Sequence, residues 1–484
     1  MLRISIPLQQ KAFQVSGTCR VAIIGGGFSG ASLARQLALH GGLASGDIVV
    51  FEPRETLGAG VAYDTADPAL RLNVAAHRMR ALPEDPAAFI DWLGASGRLE
   101  ADPDSARGDA IYARRRDFGA FMQEVMQPLL DEEKVVHIRE RVEHVKRHGG
   151  LWLVQGESST VYLADIVVIA TSHPAPRAPA PLALALNGHP RFITDPSRPG
   201  ALDPIMPDDR VFVAGAGLTA LDIVASRIAR GHAGTTTIFS RSGLLPREQD
   251  TASPAPFGDF TTSPAVTARM LLRQVRACLA SANEAGLPWQ SVFDALRQQG
   301  QAIWRNLPLN EQKRFLRHLR RRFETHRYRM PPQNAEVMQK ELATGRLRLR
   351  AGRICRVERI AHRLQIDLIL KPEGIVERCS FDWVIAATGP DHASVLKSQP
   401  WLSELEENGF VAADRHGVGV ACDEASRAVD RDGQAVDNLF VAGPLARGLF
   451  GELTGVPEIA QQTKAIAESI GAQEARSVVG RFLG

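Results

Sequence analysis

A chain of 484 residues is too long for one ordinary core, so two or three domains are expected. With 44% hydrophobic and 23% charged residues it is a globular chain able to bury a large core, and a net charge of +3 is far weaker than a nucleic-acid-binding domain usually carries. Five cysteines (Cys19, Cys278, Cys355, Cys379 and Cys422) are odd in number and contain no C-x-x-C pair, which excludes the usual redox-disulfide motif and points to a reducing compartment.

Residues 1–18 form an N-terminal extension in which Arg3, Gln9, Gln10, Lys11 and Gln14 break up any signal-peptide core. No run of about 18 apolar residues predicts a membrane span, so the expected location is the cytoplasm. The first strand, Val21 to Ile24, feeds Gly25-x-Gly27-x-x-Gly30. A helix follows with Leu33, Ala34, Leu37 and Ala38 on one face, and Gly41-Gly42 ends it. "DIVVFEP", residues 47 to 53, is a second strand ending in Glu52, which completes a β-α-β unit. Asp117 reads as the N-cap of a helix carrying Phe118, Phe121, Met122, Val125, Met126 and Leu129 at helical spacing. "VEHVKR", "LWLVQG" and "TVYLAD" then alternate as a meander that runs into "DIVVIATSHP".

The Pro-rich stretch 174 to 207 reads as a connection between domains. After it the plan recurs. "VFVAGAG" opens a second unit, "TTTIFSRSG" is its second strand, and "RICRVER", "RLQIDLIL" and "IVERCS" form another meander leading to "DWVIAATGP". Aligning Asp165 with Asp382 puts "IATS" opposite "AATG", so the halves are a diverged internal repeat. Residues from about 264 to 345 are a helical insertion. The chain ends with a strand, a glycine-rich loop and a final helix that returns to the first domain. The expected architecture is α/β, with two Rossmann-like dinucleotide-binding domains. Residues 19–200 and 385–484 form one, and residues 205–384 form the other.

In a glycine turn of this kind the first glycine bends, the second lets backbone approach a pyrophosphate, and the third lets helix pack on strand. The helix N-terminus supplies free N–H groups to the phosphates. Gly25, Gly27 and Gly30 fit these roles, and Glu52, 22 positions after Gly30, is placed to accept ribose hydroxyls. In the second turn, Gly215-x-Gly217-x-x-Ala220, alanine replaces the third glycine, and Ser240-Arg241-Ser242 stands where the acid would be. Arg241 either binds the 2′-phosphate of NADPH or is a solvated loop residue; the lean is to NADPH, with NADH left open.

Two β-α-β sites, each with a meander and an "AT[S/G]" strand end, resemble the two-dinucleotide flavoprotein superfamily, in which FAD fills the first site and NAD(P)H the second. The cysteine pair of its disulfide reductases is missing. The stretch 57 to 93, "LGAGVAYDTADPALRLNVAAHRMRALPEDPAAFIDWL", with "YARRRDFGAFM", "FVAGAGLTALDIV", "FSRSGLLPRE" and "RFETHRYRMPP", resembles the family of FAD-dependent monooxygenases that contains bacterial FAD-dependent urate hydroxylase and aspartate N-monooxygenase. That resemblance implies that Asn73 and His77 lie near the flavin. It places Gly443, and the start of the last helix around Pro457, against the isoalloxazine. Pro444 stands where disulfide reductases have an aspartate that holds the ribityl chain. The implied activity is an NAD(P)H- and O2-dependent monooxygenase acting through a flavin hydroperoxide. Urate hydroxylation to 5-hydroxyisourate, in purine breakdown, is the first expectation. N-hydroxylation of an amino acid such as aspartate is the alternative, and a flavin-binding redox or regulatory protein without oxygenation is the third.

Such chemistry belongs to the cofactor, and no catalytic triad is expected. Arg114, Arg115 and Arg116 either hold an anionic substrate, line a solvated loop or contact an FAD phosphate. His77 and Arg80 are candidate substrate contacts, and Tyr112 is expected to pack. Lys313, Arg314, Arg317, Arg320, Arg321, Arg322, Arg327 and Arg329 oppose Phe315, Leu316, Leu319 and Phe323 and read as one amphipathic helix. Its charged face is either solvated or a clamp on NADPH phosphates. Glu452 and Glu458 near the flavin loop are expected to be structural. Histidine spacing offers no metal site, and the only partners expected are a small-molecule substrate and O2, with neither nucleic acid nor membrane.

Overall fold

Two mixed sheets with parallel centres organise the chain, each built around a strand that ends in a glycine turn. The computed structural model describes residues 7–8, 11–12, 14–252, 254–451 and 453–483, so Glu452 and much of the expected N-terminal extension lie outside the described residues.

In the first half, β1 (Gly17–Ile24) leads through the turn to α1 (Phe28–His40) and β2 (Ile48–Phe51). Val21 and Ile23 pack on one face of the sheet with Leu33, Ala34 and Leu37 of α1. Ala22 and Ile24 pack on the other with Phe118 and Met122. Alternation along a strand buried on both faces is why β1 reads as an unbroken apolar run. Burying each such side chain contributes roughly 1.5–3 kcal/mol. The helix α2 (Arg115–Asp131), β3 (Val136–Ile138), β4 (Val142–His148), β5 (Leu151–Gly156) and β6 (Val161–Ile169) complete this half. The last piece of the meander and the following apolar run form one strand, β6.

Asp117 is not the N-cap of α2. Arg114 holds that position without a side-chain cap, and Asp117 sits buried in the first turn, bonded by Arg98 at 2.8 Å. Its charge still suits the positive helix end.

The Pro-rich connection is more ordered than its composition suggests. It contains the helix Ala180–Leu186, and β7 (Phe192–Ile193) joins the second sheet. Prolines at 179 and 181 pre-set the helix start, while Leu182 and Leu186 are fully buried. The second unit follows with β8 (Val211–Ala214), α3 (Leu218–Ala229) and β9 (Thr236–Ser240).

Six helices then intervene: α4 (Ala268–Glu284), α5 (Trp289–Gln298), α6 (Gly300–Asn306), α7 (Leu309–His318), α8 (Arg320–Arg327) and α9 (Pro332–Ala343). The basic run is therefore not one helix. It breaks at Leu319, which lets Phe315 of α7 and Phe323 of α8 meet edge to face at 5.7 Å. Arg327 and Arg329 are buried, so the charged face is not uniformly solvated.

The antiparallel strands β10 (Leu347–Ile360), β11 (Arg363–Leu370) and β12 (Val376–Phe381) lead to β13 (Trp383–Ala386). The chain then returns through α10 (Pro400–Glu407), β14 (Arg427–Val429) and β15 (Ala435–Val441) to α11 (Val456–Leu483). The first sheet runs β14-β15-β6-β1-β2-β3, with β5 pairing β6 and β4 pairing β5 antiparallel. The second runs β7-β13-β8-β9-β10-β11-β12. In both, the glycine-turn strand lies between its β-α-β partner and the strand ending in "AT", and all three run parallel.

Candidate functional site

The first cradle is shaped by backbone that tolerates no side chain. Gly25 has φ +103°, and a Cβ there would lie 2.7 Å from the carbonyl oxygen of Ala170, at the end of β6. A Cβ on Gly30 would lie 1.8 Å from the carbonyl oxygen of Gly25. Gly27 is the N-cap of α1 and offers no side-chain cap, so the helix end keeps N–H groups for an anion. Glu52 is buried. Its Oε2 accepts the Gly26 N–H at 2.9 Å and its Oε1 accepts from Arg54 N and Nη1 at 3.1 and 3.0 Å. Three bonds leave about one of a carboxylate's four lone-pair sites for a ribose hydroxyl. These residues fit the ADP part of a dinucleotide.

The chain's end closes over this cradle. Gly443 has φ +79°, and a Cβ on it would meet Ser29 Oγ of α1 at 2.2 Å. Its N–H donates to Gln462 Oε1 of α11 at 2.7 Å, and Ser32 Oγ bonds Thr463 Oγ1 at 2.8 Å. Pro444 begins a short turn at Gly443–Ala446, and Pro457 is half-buried in the first turn of α11.

The second cradle repeats the geometry with different walls. Gly215 has φ +132°, and a Cβ there would stand 1.9 Å from Ala387 O. Gly217 caps α3, and a Cβ on it would meet nothing within 4 Å. Arg241 is exposed just past β9, and Lys371 Nζ donates to its carbonyl oxygen at 3.5 Å. Arg321 Nη2 of α8 donates to Ala216 O at 3.1 Å and Leu244 O at 2.6 Å. Burial, and the charge of Arg241 nearby, push the Arg321 pKa down. Three cations at the end of β9 fit a phosphate ester.

Of the remaining expected residues, Asn73 and Arg115 make contacts from the first unit to the second. Asn73 is half-buried and its carbonyl oxygen accepts from Gln249 Nε2 at 2.8 Å. His77 and Arg80 are exposed. Arg115 Nη2 bonds Asp222 Oδ2 of α3 at 2.6 Å, tying the two glycine-turn units together, and its Nε donates to Arg71 O. Arg114 pairs with Asp102 at 3.1 Å. Those two arginines are engaged within the protein, which leaves them poorly placed to hold a substrate anion. Tyr112 is fully buried.

Three features escaped sequence reasoning. The insertion lines a partly open cavity of about 530 Å3, chiefly with apolar side chains, and Val418, Arg447 and Gly451 of the first unit also line it. Neither His77, Arg80 nor Arg115 lines it. Trp304 Nε1 donates to Gly448 O at 3.3 Å, and Arg297 bonds Glu458 of α11 at 2.8 and 3.2 Å, so the insertion is docked onto the loop between Gly443 and α11. Glu458 thus has the structural role expected of it. Finally, His173 and His392, from the segments after the two "AT" strand ends, pack edge to face at 5.0 Å. Burial pushes His173 down to about 3, helped by His392 and Arg447; burial, Arg447 and Arg320 push His392 down to about 4. Helical spacing hinted at the apolar stripes, but no local signal shows that they line a cavity.

Among the described residues no group of three or more metal-ligating side chains is found, and no helix is long and apolar enough to cross a membrane. Residues 22–174 match a family described as FAD-NAD(P)-binding, a span that contains the whole first cradle. No match is found among curated proteins. The fold is similar to an ornithine hydroxylase from Pseudomonas aeruginosa (15% identity, TM-score 0.62, 94% of this chain and 99% of that one). It is also similar to an ornithine N-hydroxylase from Kutzneria sp. 744, solved with reduced FAD, NADP+ and L-ornithine (18%, 0.61, 94% and 100%). A bacillithiol disulfide reductase from Bacillus cereus is a further neighbour (16%, 0.53, 94% and 99%). The chain has the two-domain fold of flavoprotein monooxygenases and reductases. The urate expectation finds no support among these neighbours.

Proposed function

We propose that the protein is an FAD-dependent monooxygenase that uses NADPH and O2 to hydroxylate an amine nitrogen of the amino-acid type. One observation carries the reading: the likeness to ornithine N-hydroxylases extends over 94% of the chain, so it takes in both cradles and the insertion. The reaction forms one N–O bond. One oxygen atom of O2 goes to the amine and the other leaves as water, with two electrons arriving as hydride from NADPH and one proton from solvent.

FAD, held at Gly25, Gly27, Gly30 and Glu52, supplies the oxygen-activating chemistry when bound. The protein's own part is placement. Gly215 and Gly217 seat the second pyrophosphate, and Arg241 with Lys371 and Arg321 attracts the 2′-phosphate. The N-terminus of α11 favours negative charge beside Gly443. The insertion, clamped to the same loop by Arg297 and Trp304, keeps bulk water from the crevice between the units.

Purified protein supplied with FAD tests this. Amine-stimulated NADPH oxidation that yields a hydroxylamine supports the reading. Loss of urate absorbance coupled to NADPH oxidation overturns it in favour of purine hydroxylation. Bound flavin that NADPH never reduces overturns it in favour of a redox or regulatory role.

A further inference from the structure

Leu271, Val275 and Leu279 recur every four residues along α4 and form one apolar stripe. Phe293 of α5, Trp304 of α6 and Phe315 of α7 turn toward the same space. Part of these faces interlocks: Leu271, Phe293, Leu296 and Ile303 are buried in one apolar cluster, with Val275, Leu279 and Phe315 packed against it. Beside that cluster a cavity of about 530 Å3, partly open to solvent, keeps apolar walls and falls in the size range of small-molecule sites.

The wall chemistry is selective. Glu324 is the one acid among the described lining residues, and it is already bonded to Arg320 at 2.7 Å. The one carboxylate on the wall is therefore already paired, and no other lining acid is present to receive an ammonium at the end of a lysine-like side chain. Cations stand there instead. Arg447 is half-buried, lines the cavity and has no carboxylate partner among the described residues. It lies on the loop joining Gly443 to α11, beside the first cradle.

We propose that this cavity is the substrate chamber and that the substrate is an α-amino acid with a large apolar side chain. Its carboxylate is held by Arg447, which keeps the adjacent amine beside the flavin loop. The side chain lies among Val275, Phe293 and Trp304. The assignment rests on the N-hydroxylase reading for the reaction, but not for binding.

Binding is read without turnover. Trp289 and Trp304 line the cavity, so ligand entry should change tryptophan fluorescence of the FAD-loaded protein in the absence of NADPH. The probes are homophenylalanine, 3-phenylpropylamine (the same molecule without its carboxylate) and ornithine. Homophenylalanine is expected to bind, 3-phenylpropylamine at least ~10-fold more weakly, and ornithine not at all, because a charge-assisted hydrogen bond is worth about a factor of ten or more. Arg447→Gln should weaken homophenylalanine by a similar factor and leave 3-phenylpropylamine unchanged. Val275→Trp, which fills the chamber, should abolish the response to both, with flavin absorbance and melting temperature reporting whether the variant is folded. Calorimetric binding of homophenylalanine that survives a folded Val275→Trp overturns the assignment, as does fluorescence-detected binding of ornithine in preference to homophenylalanine. If homophenylalanine binds as expected but yields no hydroxylamine, the chamber stands and the N-hydroxylase reading falls. If ornithine is hydroxylated and homophenylalanine is not, the reading stands and the chamber falls.

Discussion

The two glycine cradles share a backbone and differ in how they are closed. At the first, Gly27 faces the Cα of Gly60, 3.4 Å from where its Cβ would stand, and α11 lies across α1 through the Ser32–Thr463 bond. At the second, a Cβ on Gly217 would meet nothing, and Arg241 stands exposed. An enclosed cradle suits a coenzyme that stays, and an open one suits a coenzyme that is exchanged each turnover. One repeat thus acquires two roles through what later segments lay over it.

The third position of each turn gives the largest expected contrast. Gly30→Ala drives a Cβ to 1.8 Å from Gly25 O and should cost about 3 kcal/mol or more, with flavin lost on gel filtration. Ala220→Gly, its counterpart, should cost only about 1 kcal/mol in melting experiments, the helix propensity difference.

Arg241→Ala should next raise KM for NADPH by about 10–100-fold, since hydrogen bonds to charged groups contribute about 1.5–3 kcal/mol, while KM for NADH stays level. Equal effects on both donors would remove the 2′-phosphate assignment. Arg115→Ala leaves Asp222 without its partner between the units and should lower stability by about 1–2 kcal/mol. Asp222→Asn in the same background should recover part of that loss, measured by denaturant unfolding.

A further effect is graded with pH. His173 and His392 are held below their ordinary value, so the unfolded chain binds more protons than the folded one at acid pH. Stability is therefore full above about pH 6.5 and declines as pH falls toward 4 and then 3, by at most about 1.4 kcal/mol per pH unit for each group, less for solvent screening. Replacing both with Gln should flatten the melting temperature over that window.

Strands and glycine turns were legible because their signals are local. Val21–Ile24 and Val211–Ala214 are apolar runs next to residues whose φ only glycine adopts readily. Asp117 was misplaced because acids suit both an N-cap and a first turn, and only backbone geometry separates the two. Leu319 hid a helix break because a half-buried leucine carries no breaker signal.

What the sequence by itself determined, then, is the doubled β-α-β plan, the two phosphate-binding turns and the succession of strands along the chain around them. These follow from periodicity and backbone sterics over a few residues. Only the tertiary structure decided that Arg115 bridges to Asp222, that two imidazoles meet behind the "AT" strand ends, and that apolar stripes of four insertion helices line a cavity. Those depend on contacts between residues distant in the chain, where spacing along the sequence carries no information about which faces meet.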